Sequence, residues 1–99
     1  MPTRWLLVIA LTSCAASVPR PADYGVRVAT DLKAYADREC QCAERLDAAC
    51  SKQNTRERAR YTKHLDRSRP FSASENLAID AATQRYDECA RWMKPVVLE

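Results

Sequence analysis

The stretch Cys40-Gln41-Cys42-Ala43-Glu44-Arg45-Leu46-Asp47-Ala48-Ala49-Cys50 decides how the chain is read. Nothing from Gln41 to Leu46 forbids helix, so one reading is a single helix from 24 to 67. The other places a break at Cys40-Gln41-Cys42 and a new start at Asp47. A carboxylate there suits an N-cap, because it accepts from the free backbone N–H groups of a first turn. The cysteines favour the break. In one long helix Cys40 and Cys50 would lie about 15 Å apart along the axis. A disulfide needs Cα atoms within about 7 Å.

Outward from this segment the pattern stays helical. Asp23 is an expected N-cap for a helix over 24–40, with Val28, Leu32, Tyr35 and Glu39 on one stripe and Ala29, Ala36 and Cys40 beside it. A second helix is expected over 48–67, with sparse apolar positions at Ala49, Cys50, Tyr61 and Leu65. Arg69-Pro70-Phe71 reads as a turn, since Pro70 biases Arg69 away from helical angles. Ser72 and Glu75 match a capping box. A third helix is expected over 73–93, with Ala78, Ile79, Ala82, Tyr86, Cys89 and Met93 as its buried stripe and Trp92 at the edge. Pro95 is expected to end it, leaving 95–99 as a short tail. No strand pattern or repeat interrupts. The expected class is all-α, a small three-helix bundle or helical hairpin stapled by two disulfides.

The start of the chain has a different character. Arg4 is followed by the apolar run Trp5-Leu6-Leu7-Val8-Ile9-Ala10-Leu11 and then by small residues, the pattern of a secretory leader. The run is far short of the roughly 20 residues that span a bilayer. Of 99 residues, 13 are then leader and 86 remain, enough for one small domain. That length excludes a large catalytic domain or a dinucleotide-binding unit. Ser17-Val18-Pro19-Arg20-Pro21-Ala22 reads as a semi-stiff tether, because alternate prolines favour an extended backbone. The expected divisions are therefore a leader at 1–13, an anchor and tether at 14–22, a helical domain at 23–94 and the tail.

The tetrapeptide Leu11-Thr12-Ser13-Cys14 resembles the lipobox of bacterial lipoproteins. The resemblance covers only the signal. It implies that the Cys14 sulfur takes a diacylglycerol, that cleavage falls before Cys14, and that the new amino group is acylated. Two or more chains anchor stably, whereas one binds reversibly. The resemblance further implies an outer-membrane address facing the periplasm, because Ala15 rather than Asp follows the cysteine. An ordinary cleaved leader is the alternative, since Ser13, Ala15 and Ala16 also suit that cleavage.

Four cysteines remain, an even number, which in a small exported domain reads as a disulfide framework. If the helices run down, up and down, Cys40, Cys42, Cys50 and Cys89 collect at one end. Cys40–Cys89 with Cys42–Cys50 ranks first, and Cys40–Cys50 with Cys42–Cys89 second. A bridge between Cys40 and Cys42 would close a strained ring. The rival reading is a periplasmic thiol-redox or copper-handling protein. Arg38 and Arg45 flank the Cys-X-Cys pair and could depress a thiolate, and Met93 is a soft donor one turn beyond Cys89. The spacing lacks the paired Cys-X2-Cys of a zinc site. This cysteine pattern also resembles that of short exported bacterial helical proteins, a likeness that implies no activity.

Charge is the last clear signal. Sixteen Lys and Arg stand against thirteen Asp and Glu, net +3, which becomes +2 when Arg4 leaves with the leader. It is concentrated between Lys52 and Arg69, where Glu57 and Asp66 face Lys52, Arg56, Arg58, Arg60, Lys63, Arg67 and Arg69. An ion pair of Asp66 with Lys63 is expected within a solvated face. The functional reading is a surface for anionic envelope polymers, lipid head groups or an acidic protein, carried by Lys52, Arg56, Arg60, Lys63 and Arg67. Nucleic acid is not an expected partner for an exported chain without a binding motif.

Catalytic signals are missing from the sequence. His64 is the sole histidine and sits among basic residues, the single Gly25 rules out a Gly-rich phosphate loop, and the acids Asp37, Glu39, Asp87 and Glu88 do not converge. The expectation is a non-enzymatic structural or interaction module of the cell envelope with no cofactor or metal.

Overall fold

A computed structural model describes residues 20–98, with side chains described as far as residue 94. The expected leader, Cys14 and the expected tether as far as Pro19 lie outside the described residues, as does Glu99. Three helices, α1 (Tyr24–Glu44), α2 (Ala48–Lys63) and α3 (Ala73–Leu98), account for the regular structure, and no strand occurs among the described residues.

The break is real, but it falls later than Cys40. Helix α1 continues to Glu44 and ends in a Schellman motif. The Leu46 N–H donates to the Ala43 carbonyl at 3.1 Å and the Asp47 N–H to the Cys42 carbonyl at 3.0 Å. Leu46 takes φ 52°, the left-handed conformation usually left to glycine at this position. Asp47 is then extended, and its Oδ1 accepts from the Cys50 N–H at 3.0 Å, starting α2 as expected.

The other boundaries divide. The capping box forms in full, with the Ser72 N–H donating to Glu75 Oε1 at 2.7 Å and the Glu75 N–H to Ser72 Oγ at 3.2 Å. Asp23 makes no capping bond, because its carboxylate is taken by Arg27 Nε one turn on, at 2.9 Å. Helix α2 stops at Lys63 rather than 67, since the next residues are claimed from outside it. The Asp66 N–H donates to Tyr24 Oη at 2.6 Å, and Arg20 Nη1 donates to the carbonyls of Asp66 and Arg69. Pro95 does not end α3, whose backbone stays helical to Leu98. A proline removes one N–H and crowds the turn before it, yet its fixed φ is helical. The bond lost is to the carbonyl of Arg91, an exposed residue at which water can substitute. The segment from residue 95 is therefore helix continued, not a separate tail.

The helices run down, up and down. Cys40 is bridged to Cys89 and Gly25 lies against Glu75, so α1 and α3 are parallel, with α2 antiparallel to both. Gly25 serves this packing, because a Cβ there would run into the Glu75 carboxylate. Helices α1 and α3 share the largest contact. Val28, Leu32 and Ala82 form the buried core, flanked by Tyr24, Tyr61, Leu65, Phe71 and Ile79, while Ala36, Cys42, Tyr86 and Met93 are buried further down. Ala78 of the expected α3 stripe is exposed, and Ile79 and Cys89 are half-buried. Full burial of a side chain such as Leu32 contributes about 1.5–3 kcal/mol, and the core holds few of that size.

Candidate functional site

The four cysteines form the first-ranked pairing. Cys40–Cys89 and Cys42–Cys50 have Cα separations of 5.0 and 5.5 Å, well within bridging reach. All four sit at the end of the bundle where α1 finishes and α2 begins. In the oxidised form none is a free thiolate. Arg38, one flanking cation, is turned away into an ion pair with Glu57 of α2. Arg45 caps the end of α1 and is exposed. Met93 is buried, 1 % exposed, in the apolar packing of α3. Among the described residues no cluster of three or more His, Cys, Asp or Glu is placed to hold a metal ion.

The predicted cationic residues are all exposed. Lys52, Arg56, Arg60 and Lys63 follow one another at spacings of four, four and three, which puts them on one stripe of α2. Successive residues four apart rise about 6 Å along the axis. Three of them, with Ala49, Gln53 and Glu57, line a shallow groove of about 460 Å³. Glu57 is the acid in that groove, and it is occupied by Arg38 and by Gln53. Arg67 lies beyond the helix, in the loop, where Nη2 reaches the Thr62 carbonyl at 3.4 Å. The expected Asp66–Lys63 ion pair does not form. Asp66 Oδ1 instead accepts from the Ser68 N–H at 2.9 Å. The Ser68 hydrogen bonds, aided by Arg20 and Arg69, hold its carboxyl below the usual range.

Arg58 departs from the row. Its guanidinium stacks over Tyr86 at 4.2 Å, and Tyr86 Oη shares a 2.6 Å hydrogen bond with Thr55. The helix turns this one cation inward because residue 58 lies off the exposed stripe.

Two polar arrangements escape a reading of the sequence. The first is the Glu39 site. Glu39 and Asn54 are both 0 % exposed. Ser51 Oγ donates to Glu39 Oε2 at 2.6 Å, and Asn54 Nδ2 donates to Glu39 Oε1 at 3.1 Å and to the Tyr35 carbonyl at 3.0 Å. Asn54 Oδ1 is buried with no partner. Glu39 falls on the expected stripe, but nothing local marks Ser51 and Asn54 as its donors. Their three-residue spacing on an otherwise polar helix is the single available hint. The second is the pairing of Tyr61 with Asp31, whose Oδ2 accepts from the phenol at 2.7 Å. Burial, then this hydrogen bond, push the phenol above its ordinary value.

At the opposite end from the cysteines, Arg20 is held as well. Its guanidinium lies 5.0 Å from the Tyr24 ring centroid and 5.2 Å from that of Phe71, and the two rings are stacked 6.2 Å apart. Arg20, expected in the tether, thus packs on the helical domain beside the 64–72 loop. No family model, curated protein or solved structure matches this chain.

Proposed function

We propose that the protein is a lipid-anchored, non-enzymatic module of the bacterial cell envelope. In this reading residues 1–13 export it, Cys14 carries the acyl chains, and the helical domain meets an anionic envelope polymer or acidic protein through the α2 row. The observation that supports it most is that row itself. Lys52, Arg56, Arg60 and Lys63 are exposed along one stripe with no acid within ion-pair distance among the described residues. Like charges four apart destabilise a helix by about 0.2–0.5 kcal/mol per pair, so the row works against α2 in isolation. The Cys42–Cys50 bridge and the Asp47 cap hold the helix start against that repulsion. Two disulfides suit an oxidising compartment outside the cytoplasm.

The test is fractionation. The protein is expected in the membrane fraction with the added mass of acyl chains on residues 14–99, and Cys14→Ser is expected to lose that mass. A wild-type membrane-bound chain without acyl mass would overturn the anchor. Salt tests the surface, since attachment through exposed cations weakens as ionic strength rises.

A further inference from the structure

We infer that the end of the bundle built around the 64–72 loop is a docking surface for anionic phospholipid head groups, and that it sets the domain upright on the bilayer. The inference rests on the lipid anchor at Cys14 for its orientation. Its binding chemistry stands on the domain alone.

The first observation is where the chain enters. Arg20 is fixed to this end by hydrogen bonds of 3.1 and 3.0 Å to the Asp66 and Arg69 carbonyls and by the stacked Tyr24–Phe71 pair. Five residues lie between Cys14 and Arg20, a span of six residue steps. A chain extends by at most about 3.6 Å per residue, so Arg20 lies within about 20 Å of the acylated cysteine. The cysteine-bridged end lies a further helix length away, about 30 Å for the 21 residues of α1.

The second observation is the charge at the entry end. Lys63, Arg67 and Arg69 are exposed and have no acid within ion-pair distance among the described residues. The acids at this end, Asp23, Asp66 and Glu75, are outnumbered by Arg20, Arg27, Lys63, Arg67 and Arg69. Asp23 is paired with Arg27, Asp66 accepts from Ser68, and Glu75 accepts from the Ser72 N–H. Helices α1 and α3 present their N-termini here against the single C-terminus of α2, which leaves a net partial positive charge. At the far end Glu44, Asp47, Asp87 and Glu88 are exposed and offset Arg45, Arg91 and Lys94. The short tether and the charge thus select the same end.

The test is flotation with vesicles of phosphatidylglycerol in phosphatidylcholine, or of phosphatidylcholine alone. The protein is residues 14–99 with Cys14→Ser, exported behind a different, separately cleaved leader and oxidised, so that neither the apolar run nor an acyl chain contributes. Binding is expected to the anionic vesicles only, and to fade at high salt. Near an anionic surface each Lys or Arg contributes about fivefold, so Lys63→Ala, Arg67→Ala and Arg69→Ala together should weaken binding about a hundredfold. The variant Arg45→Ala, Arg91→Ala and Lys94→Ala removes as much charge from the far end and should leave binding unchanged. Helicity and the absence of free thiols show that each variant is folded. Failure to bind anionic vesicles, or equal loss from both variants, overturns the proposal. Failure of the anchor shows separately, as wild-type protein purified from cells without acyl mass.

Discussion

Replacing Asn54 with aspartate keeps the shape of the side chain and changes only its hydrogen bonding and charge. Asn54 is fully buried, and its Nδ2 serves the Tyr35 carbonyl and Glu39 Oε1. The substitution removes both donors and sets an acceptor against two acceptors. A buried group left unpaired costs about 1–3 kcal/mol, and an uncompensated buried charge about 3–5 kcal/mol. The expected loss at neutral pH is therefore about 3–5 kcal/mol, a large share of a small domain's total of about 5–15 kcal/mol. At about 4–8 °C per kcal/mol, Tm should fall by at least about 12 °C. The loss should also depend on pH. One proton shared by the two carboxylates removes a charge and restores a donor, so the deficit is greatest at neutral pH and shrinks towards about pH 4. Asn54→Leu is the companion. It leaves the same acceptors unpaired but adds no charge, so its deficit is smaller. Thermal and urea unfolding followed by circular dichroism read both. An Asn54→Asp chain within about 0.5 kcal/mol of the parent at neutral pH refutes the reasoning, as does an equal deficit at both pH values.

The two bridges should differ in weight. Removing Cys40–Cys89, whose partners are 49 positions apart, should cost about 4 kcal/mol, and removing Cys42–Cys50, eight apart, about 2.5 kcal/mol, compared by urea unfolding of paired Cys→Ser variants. Leu46→Gly should stabilise the chain, because Leu46 is 64 % exposed and has little burial to lose. Release of left-handed strain worth about 1–2 kcal/mol exceeds the added freedom of the unfolded chain, about 0.4–1 kcal/mol, and a lower urea midpoint would contradict this. Tyr61 holds its proton more tightly folded than unfolded, so the stability it contributes is present below about pH 10 and is lost as pH rises beyond that. Tyr61→Phe should flatten this alkaline loss in unfolding curves at increasing pH, and an unchanged slope would argue against the Asp31 hydrogen bond.

The features legible in the sequence share a short range. The Ser72–Glu75 box and the Asp47 cap each depend on a side chain and an N–H three residues apart, so the spelling of the segment is enough to place them. The charged stripe on α2 follows from helical periodicity alone. The gathering of the cysteines was legible for a different reason. Bond reach disfavours a long helix, and the down-up-down path then brings four thiols to one end, with two pairings left to rank. The failures are equally specific. Asp23 has the right residue type for a cap but is claimed by Arg27. Lys63 has an acid three residues away that prefers the Ser68 N–H.

The amino-acid sequence by itself determined the all-α class, where the helices start, that four cysteines gather at one end, and where the positive charge lies. Each of these follows from neighbours within about a turn or from the geometric limits of a covalent bridge. Only the tertiary structure decided where α2 stops, that Arg20 belongs to the domain, and that Ser51 and Asn54 turn inward to Glu39. Those outcomes depend on partners 12 to 49 residues away. Each polar group at such a site has a local alternative of similar energy, and packing against the other helices selects between them.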